Sequence, residues 1–240
     1  MLMKSLAHLL VAGMLALLAR AGEKSGHLFI LSGQSNMTGS LRKGFTDRVA
    51  GSLGEDEVMI VQCSRAGRGI RFWVADYAPP EGHELQGRLT GGNGEEFLRL
   101  AKAVRDSCDA RTFKTVTLIW MQGESDASRD LGAAYGRSFI TLTGRLKKEL
   151  GIEEMHFVIG RISDYGLHGD AAEGWKRMRA VQQKIAEDDP LGSWIDTDDL
   201  NGGDAAKPEG DLHYPSGESV KLGERFGEAA LRQLADAKAR

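Results

Sequence analysis

Apolar residues in this chain come in short unbroken runs, not in strict alternation, and amphipathic stretches separate the runs. A strand that is apolar at consecutive positions has to be covered on both faces, which is the situation of a parallel sheet with helices above and below it. Five such runs are present: His27–Leu31, Val58–Val61, Val116–Trp120, Met155–Ile162 and the short Trp194–Ile195. Between and after them, apolar residues recur at helical spacing. Phe97, Leu100, Ala101 and Val104 form one face, with Asn93 as a candidate N-cap and Glu95 and Glu96 in the first turn. Leu131, Tyr135, Phe139, Leu142 and Leu146 form a second, closed by Gly151. Trp175, Met178, Val181 and Ile185 form a third; Pro215 and Ser216 open a fourth that runs to Leu234. Strand–helix alternation of this kind predicts an α/β fold, a three-layer doubly wound sandwich around a mainly five-stranded parallel sheet.

The 240 residues are 41% hydrophobic and 27% charged, with a formal net charge of −3. That suffices for one hydrophobic core and offers no basic face for a nucleic acid. The first 21 residues stand apart. Lys4 precedes an apolar run from Leu9 to Ala19, and Ala19-Arg20-Ala21 follows the small-x-small pattern of a signal-peptide cleavage site. The run is shorter than the roughly 20 residues a bilayer span requires, and no cysteine follows it to carry a lipid. The expectation is an exported protein without a stable membrane anchor, with one domain over residues 22–240. Cys63 ends a strand and Cys108 ends the helix running back from it, so the two thiols are expected at opposite edges of the sheet and unpaired.

In doubly wound sheets the ligand sits beyond the carboxyl ends of the strands, where strand order reverses. The residues following each strand are therefore the candidates. After the first strand comes Gly33-Gln34-Ser35-Asn36-Met37, where Ser35 is either a nucleophile or a helix N-cap. After the second comes Cys63-Ser64-Arg65-Ala66-Gly67-Arg68-Gly69-Ile70, whose glycines would let backbone N–H groups approach a ligand. After the third comes Gln122-Gly123-Glu124-Ser125-Asp126: Gln122 is a candidate oxyanion donor, Asp126 a candidate helix cap, and Glu124 has no role that position alone assigns. Before the last helix, Asp211-Leu212-His213-Tyr214-Pro215 offers a histidine beside a carboxylate, as a general base requires. His168 is the reserve base. No histidine pair or acidic cluster has metal-ligand spacing, so neither metal nor cofactor is expected.

Together, GQSNM at 33–37, the A-G-x-G-I-x-x-W stretch at 66–73, WMQGESD at 120–126 and the histidine of DLHYP at 211–215 resemble the SGNH hydrolases. They are more narrowly similar to the sialate O-acetylesterase and acetylxylan esterase branch. The resemblance implies a flavodoxin-like fold and a serine esterase removing acetyl groups from carbohydrate. In it Ser35 would be the nucleophile and His213 the base, with an oxyanion hole from the Ser35 and Gly67 N–H groups and the Gln122 side chain. Gln34, Arg68 and Glu124 are the candidate substrate-binding residues. The acid of this pattern stands three residues before the histidine, which here is Gly210. Asp211, Glu209 or no acid at all remain open. Arg68 or Arg71 is a candidate partner for a substrate carboxylate, Trp73 and Tyr77 are candidate sugar platforms, and the polar loop 79–94 is expected to rim the cleft. An acetyltransferase on the same scaffold and a catalytically silent carbohydrate-binding protein are the alternatives.

Overall fold

The computed structural model describes residues 26–84, 91–108, 111–202 and 210–239. The expected export segment and Glu209 lie outside these residues. Five parallel strands form one sheet: β1 (His27–Gly33), β2 (Val58–Ser64), β3 (Thr115–Met121), β4 (His156–Gly160) and β5 (Gly192–Ile195). Their order is β2-β1-β3-β4-β5. The chain moves outward from β1 to β2 and returns to the other side of β1 for β3, so the order reverses between β1 and β3. This is the α/β doubly wound arrangement that the apolar runs predict.

Successive residues of each strand face opposite sides, and here both sides are covered. Leu28 and Ile30 of β1 pack with Leu118 and Trp120 of β3 against helices α2 (Glu95–Cys108), α4 (Gly132–Leu150) and α5 (Ala172–Asp188). Phe29 and Leu31 pack with Ile119 and Met121 against α1 (Gly39–Leu53) and α6 (Ser216–Ala239). On the first face Trp73, Trp120, Phe139 and Phe157 stack edge-on in series, with successive ring centroids 5.1–5.9 Å apart. Trp73 and Tyr77 are therefore core residues, 1% and 8% exposed, and not sugar platforms. Cys63 and Cys108 are free thiols. Between α2 and α4, the short helix α3 (Glu124–Ala127) follows β3 directly.

Helix α1 has no counterpart among the expected elements. Its sequence, GSLRKGFTDRVAGSL, buries Leu41, Phe45 and Val49 at four-residue spacing together with Gly44, a narrow apolar stripe among polar and small residues. Besides this apolar packing, it is held by close backbone approach to α6. A Cβ on Gly44 would lie 2.1 Å from the Val220 carbonyl oxygen, and one on Gly223 would lie 2.0 Å from that of Leu41. Thr38 caps the helix, its Oγ1 accepting the Leu41 N–H at 3.1 Å and meeting Ser219 Oγ at 2.6 Å.

Replacing Gly223 by alanine should therefore destabilise the fold by roughly 1–3 kcal/mol in urea unfolding, although alanine is the better helix former by about 1 kcal/mol. An unchanged or raised midpoint would show that the α1–α6 contact can relax without loss.

Candidate active site

The registers of β1 with β2 and β3 place Gly33, Ser64 and Met121 side by side, so the segments leaving the three strands emerge together at one edge. Gly33 is required there. Its φ is +141°, and a Cβ would stand 1.9 Å from the Met121 carbonyl oxygen. That oxygen accepts the Gln34 N–H at 2.9 Å, and Met37 N–H closes a turn on the Gln34 carbonyl at 3.0 Å. Ser35 sits half-buried at the apex of this turn. With Thr38 as the cap of α1, Ser35 has no capping role.

His213 comes from the other end of the chain. Its Nε2 lies 2.9 Å from Ser35 Oγ. The residues around it are anchored one by one. The Asp211 N–H donates to the Asn201 carbonyl at 2.7 Å, the Leu212 carbonyl accepts from Asn36 Nδ2 at 3.1 Å, and Tyr214 OH donates to Thr197 Oγ1 at 2.7 Å. Thr197 and Asn201 are held in turn by the Arg161 carbonyl and by Asp164 Oδ1, each at 2.7 Å.

Gly210 has φ +62°, and a Cβ there would meet Asn201 Oδ1 at 2.4 Å, so this packing excludes an acid at the position. Asp211 lines the cleft, but no hydrogen bond joins it to the imidazole. Its backbone is fixed on Asn201, two residues before the ring. Asp211 is thus not placed as the acid of a triad, and among the described residues no carboxylate pairs with His213.

Ser35, Gly67 and His213 open onto a cleft of about 1100 Å³. Neither the Ser35 nor the Gly67 N–H makes a backbone hydrogen bond among the described residues, so both donors remain available there. Gln122 does not join them. It is 0% exposed, and its amide nitrogen faces Asp126 Oδ2 at 2.6 Å, the Arg68 carbonyl at 3.2 Å and Gln34 Oε1 at 3.3 Å. The expectation that it supplies an oxyanion donor is overturned by these acceptors. Gln34 lines the cleft instead. Its Oε1 also receives the Ser125 N–H at 3.3 Å, which leaves its amide N–H₂ as the group open to a ligand.

Arg68 and Arg71 are likewise placed elsewhere. Arg68 pairs with Glu95 at 3.0 Å and Glu96 at 3.5 Å and lies over the Phe72 ring. Arg71, 2% exposed, donates to Asn93 Oδ1 at 2.7 Å and to the Gly91 carbonyl, and covers the same ring. Both lie away from the cleft lining and hold the start of α2 against the 3-10 turn Ile70–Trp73. Asn93 thus serves as an arginine acceptor where the sequence suggests an N-cap. Among the described residues of the 79–94 loop, none lines the cleft.

The sequence of the family described as "Carbohydrate esterase, sialic acid-specific acetylesterase" matches residues 40–232. The chain belongs to this family. It is accordingly a carboxylic ester hydrolase of the carbohydrate esterase type. No curated protein sequence gives a significant match. Among solved structures, a protein from Arabidopsis thaliana is 17% identical with a TM-score of 0.62, the alignment covering 87% of this chain and 98% of that one. A carbohydrate acetylesterase from Xanthomonas citri is 17% identical with a TM-score of 0.64, over 85% of this chain and 55% of that one. The structure of NanS is 13% identical with a TM-score of 0.60, over 89% and 99%. At these identities the likeness is one of fold.

The far wall of this esterase cleft is the segment after β4, from which the sequence singles out only His168. Tyr165, Gly166 and His168 follow β4, and Trp175 opens α5. Tyr165 and Trp175 rings meet edge-on at 6.1 Å, and Trp175 Nε1 donates to the Ser163 carbonyl at 2.6 Å. His168 lines this wall, while His213 is the histidine at Ser35. Arg129 lines the cleft as well. It stands just past α3, three residues beyond the end of the QGESD motif, where no strand end points to it.

Asp126 holds the loop that brings Gly67 to the cleft. Its Oδ2 accepts the Ile70 N–H at 2.9 Å as well as the Gln122 amide, so it bridges two segments and does not cap a helix. Burial pushes its carboxyl up to about 6, against the opposing effect of these hydrogen bonds. Between pH 4 and 6 the folded chain therefore holds a proton at Asp126 that the unfolded chain has released, so this group's contribution to stability falls as pH rises. The loss is on the order of 3 kcal/mol. An Asp126→Asn variant lacks the titration. The melting temperature of the native protein relative to this variant should be higher at pH 4 than at pH 7, and the reverse order would refute the assignment.

Proposed function

We propose that this chain is a serine-dependent carbohydrate O-acetylesterase acting outside the cytoplasm after loss of residues 1–21. The observation that carries this reading is the 2.9 Å contact between Ser35 Oγ and His213 Nε2 at the open cleft. His213 takes the hydroxyl proton as Ser35 attacks the acetyl carbonyl. The developing oxyanion is met by the N–H groups of Ser35 and Gly67, with the Gln34 amide as third donor. The proton on His213 passes to the departing sugar oxygen. Water, deprotonated by the same imidazole, then releases acetate and restores the serine.

The shape of the cleft supports a carbohydrate substrate. Tyr165, half-buried, offers a ring on which a sugar face can rest, and Ser125, Ser128 and Asp170 supply hydrogen-bonding groups around it. Arg129 gives the same wall a positive charge, the feature a uronic or sialic acid would use.

Ser35→Ala should abolish acetate release from acetylated sugars while leaving the unfolding transition unchanged; sustained turnover would refute the reading. Gln34→Ala should lower kcat by about 100- to 1000-fold with a small change in KM, as expected for loss of one oxyanion donor. An acetate-release panel of acetylated xylan, O-acetyl sialic acid and acetylated pectin identifies the sugar.

A further inference from the structure

Asn36, the residue after the serine, is 3% exposed and uses both protons of its side-chain amide on protein acceptors. One goes to Glu124 Oε1 at 2.7 Å, the other to the Leu212 carbonyl at 3.1 Å. No proton is left for a ligand, so Asn36 is not a substrate contact. What it does is join three segments that are far apart in sequence: the Ser35 turn after β1, helix α3 after β3, and the loop that carries His213. Glu124 is the fixed end of this link. It is 5% exposed, its Oε1 is taken by Asn36, and its Oε2 is buried without a hydrogen-bond partner. Glu124 lines the cleft, as expected of a substrate-binding candidate, and within the protein its Oε1 serves as the acceptor for Asn36.

We propose that the Glu124–Asn36 pair is the strut that positions His213 on Ser35. Asn36 and Glu124 are positioning residues, and the inference rests on Ser35 and His213 as the reacting pair. An imidazole oriented by a carboxylate has its ring fixed directly. His213 has no such carboxylate among the described residues, and its backbone is fixed instead through the Leu212 carbonyl. One hydrogen bond from the residue beside the nucleophile to the residue beside the base couples their positions, and a displacement of about 1 Å at such a contact can lower the rate by about 100-fold.

The role asked of Glu124 is that of a hydrogen-bond acceptor, and a glutamine side-chain oxygen accepts from Asn36 equally well. A leucine of similar size does not. These two replacements at position 124 therefore separate the link from the bulk of the side chain.

The experiment measures kcat and KM for p-nitrophenyl acetate, and melting temperature, on the purified protein and on the variants Asn36→Ala, Glu124→Gln, Glu124→Leu, Asn36→Ala/Glu124→Leu, Ser35→Ala and His213→Ala. Expected is a fall in kcat of about tenfold or more for Asn36→Ala and Glu124→Leu, with KM within about twofold, and kcat within about threefold of native for Glu124→Gln. The double variant should be no worse than the poorer single by more than about threefold, because both act through one link. If Asn36→Ala fails to fold, the contrast between Glu124→Gln and Glu124→Leu decides. Native kcat in folded Asn36→Ala or Glu124→Leu, a loss confined to KM, or an additive double variant overturns the strut while Ser35→Ala and His213→Ala remain inactive. Activity retained by Ser35→Ala overturns the esterase reading beneath it.

Discussion

The hydrogen bond from the Gln34 N–H to the Met121 carbonyl is the point on which the site turns. It extends the β1–β3 pairing one residue beyond Gly33, and it can form only because Gly33 has no Cβ to strike that carbonyl. The chain then has nowhere to go but up and over the end of β3, and Ser35 is lifted to the edge of the sheet. Parallel strands with a common register bring the segments after β1, β2 and β3 to the same edge. From there the site is an assembly of loops whose positions are fixed by what lies beneath them.

Those underlying groups are polar and enclosed. Trp120 Nε1 donates to Tyr135 OH at 2.9 Å, Tyr135 OH donates to the Gln122 carbonyl at 2.8 Å, and Gln182 Nε2 donates to that carbonyl at 2.7 Å. Gln122 thus sits in a network, its side-chain nitrogen on Asp126 and Gln34 and its backbone carbonyl held by Tyr135 of α4 and Gln182 of α5. The residue shapes the floor of the cleft from below. On the histidine side the same logic runs through Thr197, Asn201 and Asp198, the last gripped by both Arg179 nitrogens at 2.7 Å. Arg225 makes a similar two-point contact with Asp199 at 2.6 and 2.8 Å.

What the sequence discloses and what it withholds follow from this arrangement. The five strands are legible because burial on both faces writes continuous apolar runs, and α2, α4, α5 and α6 because each presents an apolar stripe to one face of the sheet. Helix α1 is the hardest to read, since its stripe is only Leu41, Phe45 and Val49 and its closest contact to α6, through Gly44 and Gly223, leaves no hydrophobic signal. Ser35 and His213 are legible through strand ends and motif. The roles of Gln122, Glu124, Arg68 and Arg71 are not, because motif position tells which loop a residue occupies and not which way its side chain faces. Gln34 and Gln122 show this most clearly: both are amides at strand ends, and the choice between them is made by Asp126, a third residue whose carboxylate draws the Gln122 nitrogen inward. Tyr165 is missed because the segment after β4 offers a titratable group only in His168, and Arg129 because it lies past α3.

Asp126 and Glu124 follow one principle. Each is a carboxyl group enclosed within α3, and burial pushes both above the ordinary carboxylate range. Enclosing such groups opposes folding at neutral pH, and apolar replacements would serve packing better. Their hydrogen bonds are where the compensation lies. Asp126 accepts from Ile70 and so fixes the segment that brings Gly67 to the cleft; Glu124 accepts from Asn36 and so fixes the contact to the His213 loop. A helix of four residues, Glu124–Ala127, therefore reaches toward the Gly67 loop with one acid and, through Asn36, toward the His213 loop with the other. The two halves of the site are referred to a single short element rooted at the end of the central strand β3. A shift of that element would move donor and base together, which preserves their mutual geometry better than anchoring each loop to a separate part of the fold.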